Sequence, residues 1–351
     1  MLNFTSSQYL GLRHPSCALK QWKTLTLGSP AALAEPESFK AVAAALARLQ
    51  GCEEGILGSS TLHLFWDLFG IFGGKGVMVF WDAGIYPVAR WGVERAAGRG
   101  AISQMFAHYS PKALRRLLDS CQRGTRPIIL TDGFCPACGR IAPVNDYLSC
   151  ARDYGGLLVI DDTQALGIFG RSPGPAAPYG RGGGGVLRWS GVNGPDVVVV
   201  ASLAKGFGAP LAVLSGSSAM IGRFEERSET RVHCSPPSVA AVHAAQRALA
   251  INRQRGDALR LRLADLVKRF RQGAARSGFN ATAGLFPMQT LSGMSVAEGT
   301  ILHERLTDNG VKTVLQQSRN GPGAALTFIL TALHQPLMVD QALAALRRAT
   351  C

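Results

Sequence analysis

Residues Val197 to Ala201 form an unbroken apolar run in which the first four are β-branched valines. A strand with one wet face alternates polar and apolar positions. This run therefore predicts a strand buried on both faces, as in a largely parallel sheet covered by helices. It exits into Ser202-Leu203-Ala204-Lys205-Gly206-Phe207-Gly208-Ala209-Pro210, which sets one lysine among small residues just past the strand end. Desolvation favours the neutral amine, the form that attacks carbonyl compounds. Read alone, Lys205 is equally a solvated loop lysine.

Short apolar runs at 77–80, 127–131, 157–161 and 211–216 alternate with helical spacing near 86–97, 111–122 and 143–154. "PESFKAVAAALARLQG" predicts a helix that starts after Pro36 and stops at Gly51. Such alternation predicts an α/β sheet with helices on both faces. Ligands of these sheets bind beyond the carboxyl ends of the strands. Here those ends carry Asp82, Asp132, Asp161, Asp162 and Ser202, with Lys205 following. The glycine- and proline-rich stretch 170–185 predicts a long loop between strands. From about 251 the pattern changes to a long amphipathic helix and an α+β segment. We expect an N-terminal segment 1–49, a large domain 50–250 and a smaller α+β C-terminal domain 251–351.

The formal net charge is +14, from 37 Lys and Arg against 23 Asp and Glu. The basic residues are dispersed, and their densest stretch, 253–276, is interleaved with leucines like the wet face of a helix. The expectation is no nucleic acid, and an anionic substrate, cofactor or carrier protein instead. No apolar stretch approaches the roughly 20 residues that span a bilayer. The N-terminus also lacks a charged segment followed by an apolar one, so we expect a cytoplasmic protein that does not enter the membrane. Eight scattered cysteines then read as free thiols. Cys135-Pro136-Ala137-Cys138 has the spacing of a redox dithiol or half a zinc site, but no second pair accompanies it, so no metal is expected. Among the histidines, only His108 is expected beside the rim of the site.

"LGSSTLHLFWDLF" (57–69) places Ser59, Ser60 and Thr61 immediately before a helical pattern, where backbone amides suit a phosphate. Ser202 can add another donor. Asp161, ending a buried strand, can keep a heterocyclic nitrogen protonated. Phosphate donors, a carboxylate for a ring nitrogen and a lysine amine together describe a pyridoxal 5'-phosphate site.

The sequence resembles the fold-type-I pyridoxal phosphate enzymes of the aminotransferase class I/II superfamily, most closely the α-oxoamine synthases. "SSQYLGLRHP", "GRIAPVNDYL" (139–148), "VIDDTQALGIFG" (159–170), "SLAKGFGAP" (202–210) and "LTALHQ" (330–335) carry the resemblance in shared order and spacing. It implies Lys205 as the lysine of the internal aldimine, Asp161 as the partner of the pyridine nitrogen, and Ser202 with Ser59, Ser60 and Thr61 around the phosphate. Tyr86 stands where the family usually has a stacking histidine, and Gln164 where it has a histidine near the phenolic oxygen. The resemblance also implies a homodimer, with Ser235 as a contact to the partner subunit's cofactor. His108 and Arg319 are the candidates for substrate binding. Arg319 is named because the family's carboxylate-gripping Arg-Leu-Arg is replaced here by Ala325-Leu326-Thr327.

The implied function is a biosynthetic transferase. It forms an external aldimine with a small amino substrate and joins its carbon to the acyl group of a thioester on coenzyme A or an acyl carrier protein. Two other readings stand beside it: an aminotransferase acting on a biosynthetic intermediate, and a non-catalytic paralogue of the same fold.

Overall fold

The computed structural model describes residues 1–121, 124–282, 284–317 and 323–350. The valine run forms the strand Val197–Ser202 inside a seven-stranded sheet. Across that sheet the order is Glu54–Gly58, Ala212–Gly216, Val197–Ser202, Leu157–Asp161, Arg126–Asp132, Val77–Asp82, Ile102–Phe106. Ala212–Gly216 is antiparallel to both its neighbours; every other pair is parallel. Both faces are covered, which is why the valines show no alternation. Val198 and Val200 pack with Phe65, Phe69 and Val93 on one side. Val197, Val199 and Ala201 join Leu46, Leu148 and Leu187 on the other.

The helices Glu37–Gln50, Pro87–Gly98, Pro111–Asp119 and Val144–Asp153 lie close to their expected bounds. Local chemistry sets the ends. Gly51 stops the first in a left-handed conformation at φ 96°, and the Ser110 hydroxyl caps the third by accepting from the Ala113 amide. Two sheet strands escaped the pattern. Glu54–Gly58 begins and ends in residues that do not read as strand, and Ile102–Phe106 is an edge strand whose side chains are mostly exposed.

The long helix also begins earlier than expected. It runs from Val239 to Ala275, with the Ser238 hydroxyl accepting from the Ala241 amide at its start. Its first turns are rich in alanine, and Ala241, Val242, His243, Ala244 and Ala245 are all buried, so no polar stripe marks them as helical. The 170–185 segment is a loop, as expected, but a pinned one. Arg260, 2% exposed, donates to the Gly167 carbonyl and to Asn252 and Asp257, while Asn252 donates to the Gly182 carbonyl.

Beyond the long helix, Met288–Met294, Ala324–Ile329 and Val314–Gln317 form an antiparallel sheet, accompanied by the helices Val296–Asp308 and Pro336–Thr350. The chain start is laced to this unit: Leu2–Asn3 pairs with Val311–Lys312, and the Ala332 amide donates to the Tyr9 carbonyl. We propose to keep the division at 1–49, 50–250 and 251–351, with the single helix Val239–Ala275 continuing through the second boundary.

Candidate active site

Parallel strands deliver their carboxyl ends to one rim, and register decides which residues meet there. Asp132 pairs directly with Asp161, and Asp161 with Val200, so Ser202 and the following turn stand beyond the two carboxylates. Lys205 lies in that turn, its Nζ 5.8 Å from the centroid of the Tyr86 ring. Burial lowers the lysine's pKa, against the opposing charges of Asp161 and Asp132. Burial raises that of Asp161, against the hydrogen bonds from Thr163 and the charge of Lys205. The Thr163 amide donates to Asp161 Oδ1 at 3.0 Å, and its hydroxyl accepts from the Ser202 amide at 3.0 Å, tying the two strand ends together.

These groups open on a cavity of about 640 Å³. Of the residues expected at the site, Thr61, Tyr86, Asp161, Gln164, Ser202 and Lys205 line it. Ser59 and Ser60 stand just behind. The Ser59 hydroxyl donates to the Ser235 carbonyl of its own chain at 3.1 Å, and that of Ser60 pairs with His63 Nδ1 at 2.8 Å. Because Ser60 is engaged with His63, it does not cap the helix Thr61–Phe72. The amides of the first turn are thus left for an anion.

His108 does not line the cavity. Its Nδ1 is bonded to Asp82 Oδ1 at 2.6 Å and its Nε2 faces Cys138 Sγ at 3.4 Å, so it reads poorly as a substrate contact. The hydrogen bond to Asp82, then that to Cys135, raises its pKa to about 11. Arg319 lies outside the described residues.

Several lining residues carried no expected role. Tyr9 donates its hydroxyl to Gln164 Oε1 at 2.7 Å, fixing the amide that replaces the family's histidine. Thr290, Gln316, Gln317 and Ala325 form the wall contributed by the smaller sheet. Tyr9 sits inside "SSQYLGLRHP" and Ala325 opens the Ala325-Leu326-Thr327 replacement, so a signal exists for both; Thr290, Gln316 and Gln317 have none, since only the fold of the antiparallel sheet turns them inward. Among the described lining residues Lys205 is the sole cation.

An amine free of any ion pair among the described residues, a buried carboxylate across the rim and an uncapped helix start fit pyridoxal phosphate at its aldehyde, ring nitrogen and phosphate. Among solved structures, a serine palmitoyltransferase from S. paucimobilis with bound PLP matches with a TM-score of 0.85 at 18% identity, over 99% of this chain and 86% of that one. The 8-amino-7-oxononanoate synthase from Francisella tularensis matches at 0.77 and 18%, over 99% and 97%. The architecture is that of the fold-type-I pyridoxal 5'-phosphate-dependent transferases.

The chain belongs to the family described as aminotransferase class I and II, which it matches over residues 1–345. It is an enzyme of that family, and pyridoxal 5'-phosphate is its cofactor. Among curated relatives, an 8-amino-7-oxononanoate synthase of Methylococcus capsulatus is 28% identical, covering 98% of this chain and 88% of its own length. One of Alkalilimnicola ehrlichii is 29% identical over 88% and 75%.

Proposed function

We propose that this enzyme joins the amino-bearing carbon of a small amino substrate to the acyl carbon of a thioester, as an α-oxoamine synthase does. The observation that carries the reading is the grouping of Lys205, Asp161, Ser202, Thr61 and Tyr86 around one cavity, in a chain similar along most of its length to 8-amino-7-oxononanoate synthases. When bound, pyridoxal phosphate supplies an aldehyde that captures the amine and a ring that takes up the electron pair released at the neighbouring carbon.

The chain's own groups do the rest. Thr61, Ser202 and the amides of the first helical turn hold the phosphate. Asp161 accepts from the ring nitrogen and keeps a proton on it. Tyr86 offers its face to the ring, since its π system rather than a basic nitrogen makes that contact. Gln164, oriented by Tyr9, donates a hydrogen bond but cannot shuttle a proton near neutral pH. Lys205, with its pKa lowered by burial, takes the proton from the substrate carbon. With the cofactor bound, the deprotonated carbon would add to the thioester carbonyl, and breaking of the carbon–sulfur bond would release the thiolate.

The test is to supply amino substrates with acyl-coenzyme A or acyl carrier protein thioesters and follow thiol release and product mass. Amino-group transfer to a keto acid without thiol release identifies an aminotransferase, and cofactor binding with neither reaction overturns the proposal. No helix of the described residues is long and apolar enough to cross a membrane, which accords with a cytoplasmic site. A homodimer accords with the exposed apolar side chains Leu33 and Val232, at 77% and 49%, on segments joined by the Ala32 amide and the Arg231 carbonyl close to Ser235. Sedimentation at assay concentration checks it, and a fully active monomer overturns it.

A further inference from the structure

Counting cysteines along the chain leaves Cys135-Pro136-Ala137-Cys138 one pair short of a metal site; the fold brings a third donor to it. Phe134–Cys135 and Arg140–Ile141 form a small antiparallel hairpin whose turn is closed by the Gly139 amide donating to the Cys135 carbonyl at 2.9 Å. Gly139 has a φ of 70°, a left-handed conformation suited to glycine, and the turn brings both sulfurs together.

His108 arrives from just beyond the edge strand Ile102–Phe106. Its ring stacks on Tyr109 with centroids 4.0 Å apart, and Tyr109 itself sits at the unusual φ of 50° while its amide donates to Asp82 Oδ2 at 2.8 Å. Gly84 leaves room for the imidazole, since a Cβ there would lie 2.4 Å from His108 Nδ1. One ligand atom from each of His108, Cys135 and Cys138 lies within 4.8 Å of the others. With zinc bonds of roughly 2.3 Å to sulfur and 2.0–2.1 Å to nitrogen, the edges of a tetrahedral site are about 3.5–3.8 Å; His108 Nε2 and Cys138 Sγ, at 3.4 Å, already stand near that spacing, and the widest pair closes by about 1 Å on binding.

We propose that His108 Nε2, Cys135 Sγ and Cys138 Sγ bind a zinc ion, with a fourth position open to water or an exogenous ligand on the side of the exposed Cys138. Two thiolates and an imidazole suit zinc rather than a hard cation. Asp82 supplies the carboxylate that commonly holds the other nitrogen of a zinc-bound histidine. Two thiolates balance the ion's charge, and binding displaces the thiol protons and any proton on Nε2 to solvent. The site has a direct consequence for the cavity: Pro136 and Ala137, between the cysteines, line its wall, so the metal clamps one side of the cofactor pocket.

The holoenzyme, equilibrated with zinc chloride and desalted, is tested for metal per chain by mass spectrometry and for ligands by X-ray absorption at the zinc edge. Near-stoichiometric zinc with two sulfur neighbours is expected. Cys138→Ser and His108→Ala should lower zinc retention by about tenfold or more, in line with 10–100-fold losses for even outer partners of such sites. Cys17→Ser should leave it unchanged. Retained cofactor absorbance shows that each variant is folded. No retained zinc, the same zinc in Cys138→Ser, or a Cys135–Cys138 disulfide seen as the loss of two hydrogens from the intact mass each overturns the proposal.

Discussion

Asp132 and Asp161 face each other as register partners on adjacent parallel strands, with Lys205 beyond them. Two carboxylates so placed do not ionise independently. Burial first, then the charge of Asp161, pushes the Asp132 pKa well above the usual carboxylate range, while the Tyr86 amide donating at 3.2 Å pulls the other way. Burial raises the Asp161 pKa as well, against the hydrogen bonds from Thr163 and the charge of Lys205.

This gives a pH-dependent stability prediction. A folded-state pKa above the unfolded value of about 3.9 means that the folded chain holds the proton more tightly. The stability it contributes is complete below that unfolded value and is lost as pH rises through the folded one. Asparagine cannot ionise, so Asp132→Asn should melt at a higher temperature than wild type at pH 8, with the advantage vanishing toward pH 4. Thermal melts across that range check it; a constant difference shows that Asp132 titrates normally.

Asp161→Asn keeps the shape of the side chain and removes its charge. A charge-assisted hydrogen bond contributes about 1.5–3 kcal/mol, which corresponds to a rate loss of about 10- to 100-fold if the bond acts in the transition state. Cofactor held through its phosphate should remain bound, so absorbance and turnover must separate. Turnover within threefold of wild type argues against a role at the ring nitrogen.

Lys205→Ala removes both the covalent attachment and the proton acceptor. Borohydride reduction should fix the cofactor to wild-type protein, adding its mass, and leave the variant unlabelled. Turnover should fall by about 10²–10⁴, the usual contribution of a positioned acid–base group. Labelling of the variant would move the attachment to another lysine.

Much of this rim was legible in the sequence because a strand buried on both faces leaves an unmistakable apolar run, and its exit residue follows by counting. Lys205, Asp161 and Ser202 were found in that way. What pattern could not supply was proximity between distant turns. His108 and Cys138 are 30 positions apart and meet only because Asp82 orients the imidazole toward the hairpin. Gln316 and Thr290 enter the cavity through strand pairing in the smaller sheet, where alternation marks which faces are apolar but not which sheet edge meets the cofactor domain. The 170–185 loop reads only as glycine- and proline-rich, yet Asn252 and Asp257, far along the chain and both held by the buried Arg260 guanidinium, bond its Gly182 backbone.

The smaller sheet also bears on substrate choice. At the strand where the resemblance leads one to expect a carboxylate-gripping arginine, Ala325 lines the cavity, and the buried Thr327 has its hydroxyl engaged, paired with that of Thr290 at 2.8 Å and within 3.4 Å of Gln316 Nε2. Neither can reproduce the two parallel bonds of a guanidinium to a carboxylate. We therefore expect amino substrates lacking a free carboxylate at this position, whether amines, esters or carrier-bound aminoacyl groups, to bind more tightly than glycine, alanine or serine. A missing bond of about 1.5–3 kcal/mol sets the difference at about 10- to 100-fold. Titrations followed by cofactor absorbance, with product masses from each pair, measure it directly. Arg319→Ala distinguishes the other possibility: if simple amino acids bind tightly and this variant loses them, Arg319 has taken over the grip, and if they bind tightly without it, the argument from Ala325 and Thr327 fails.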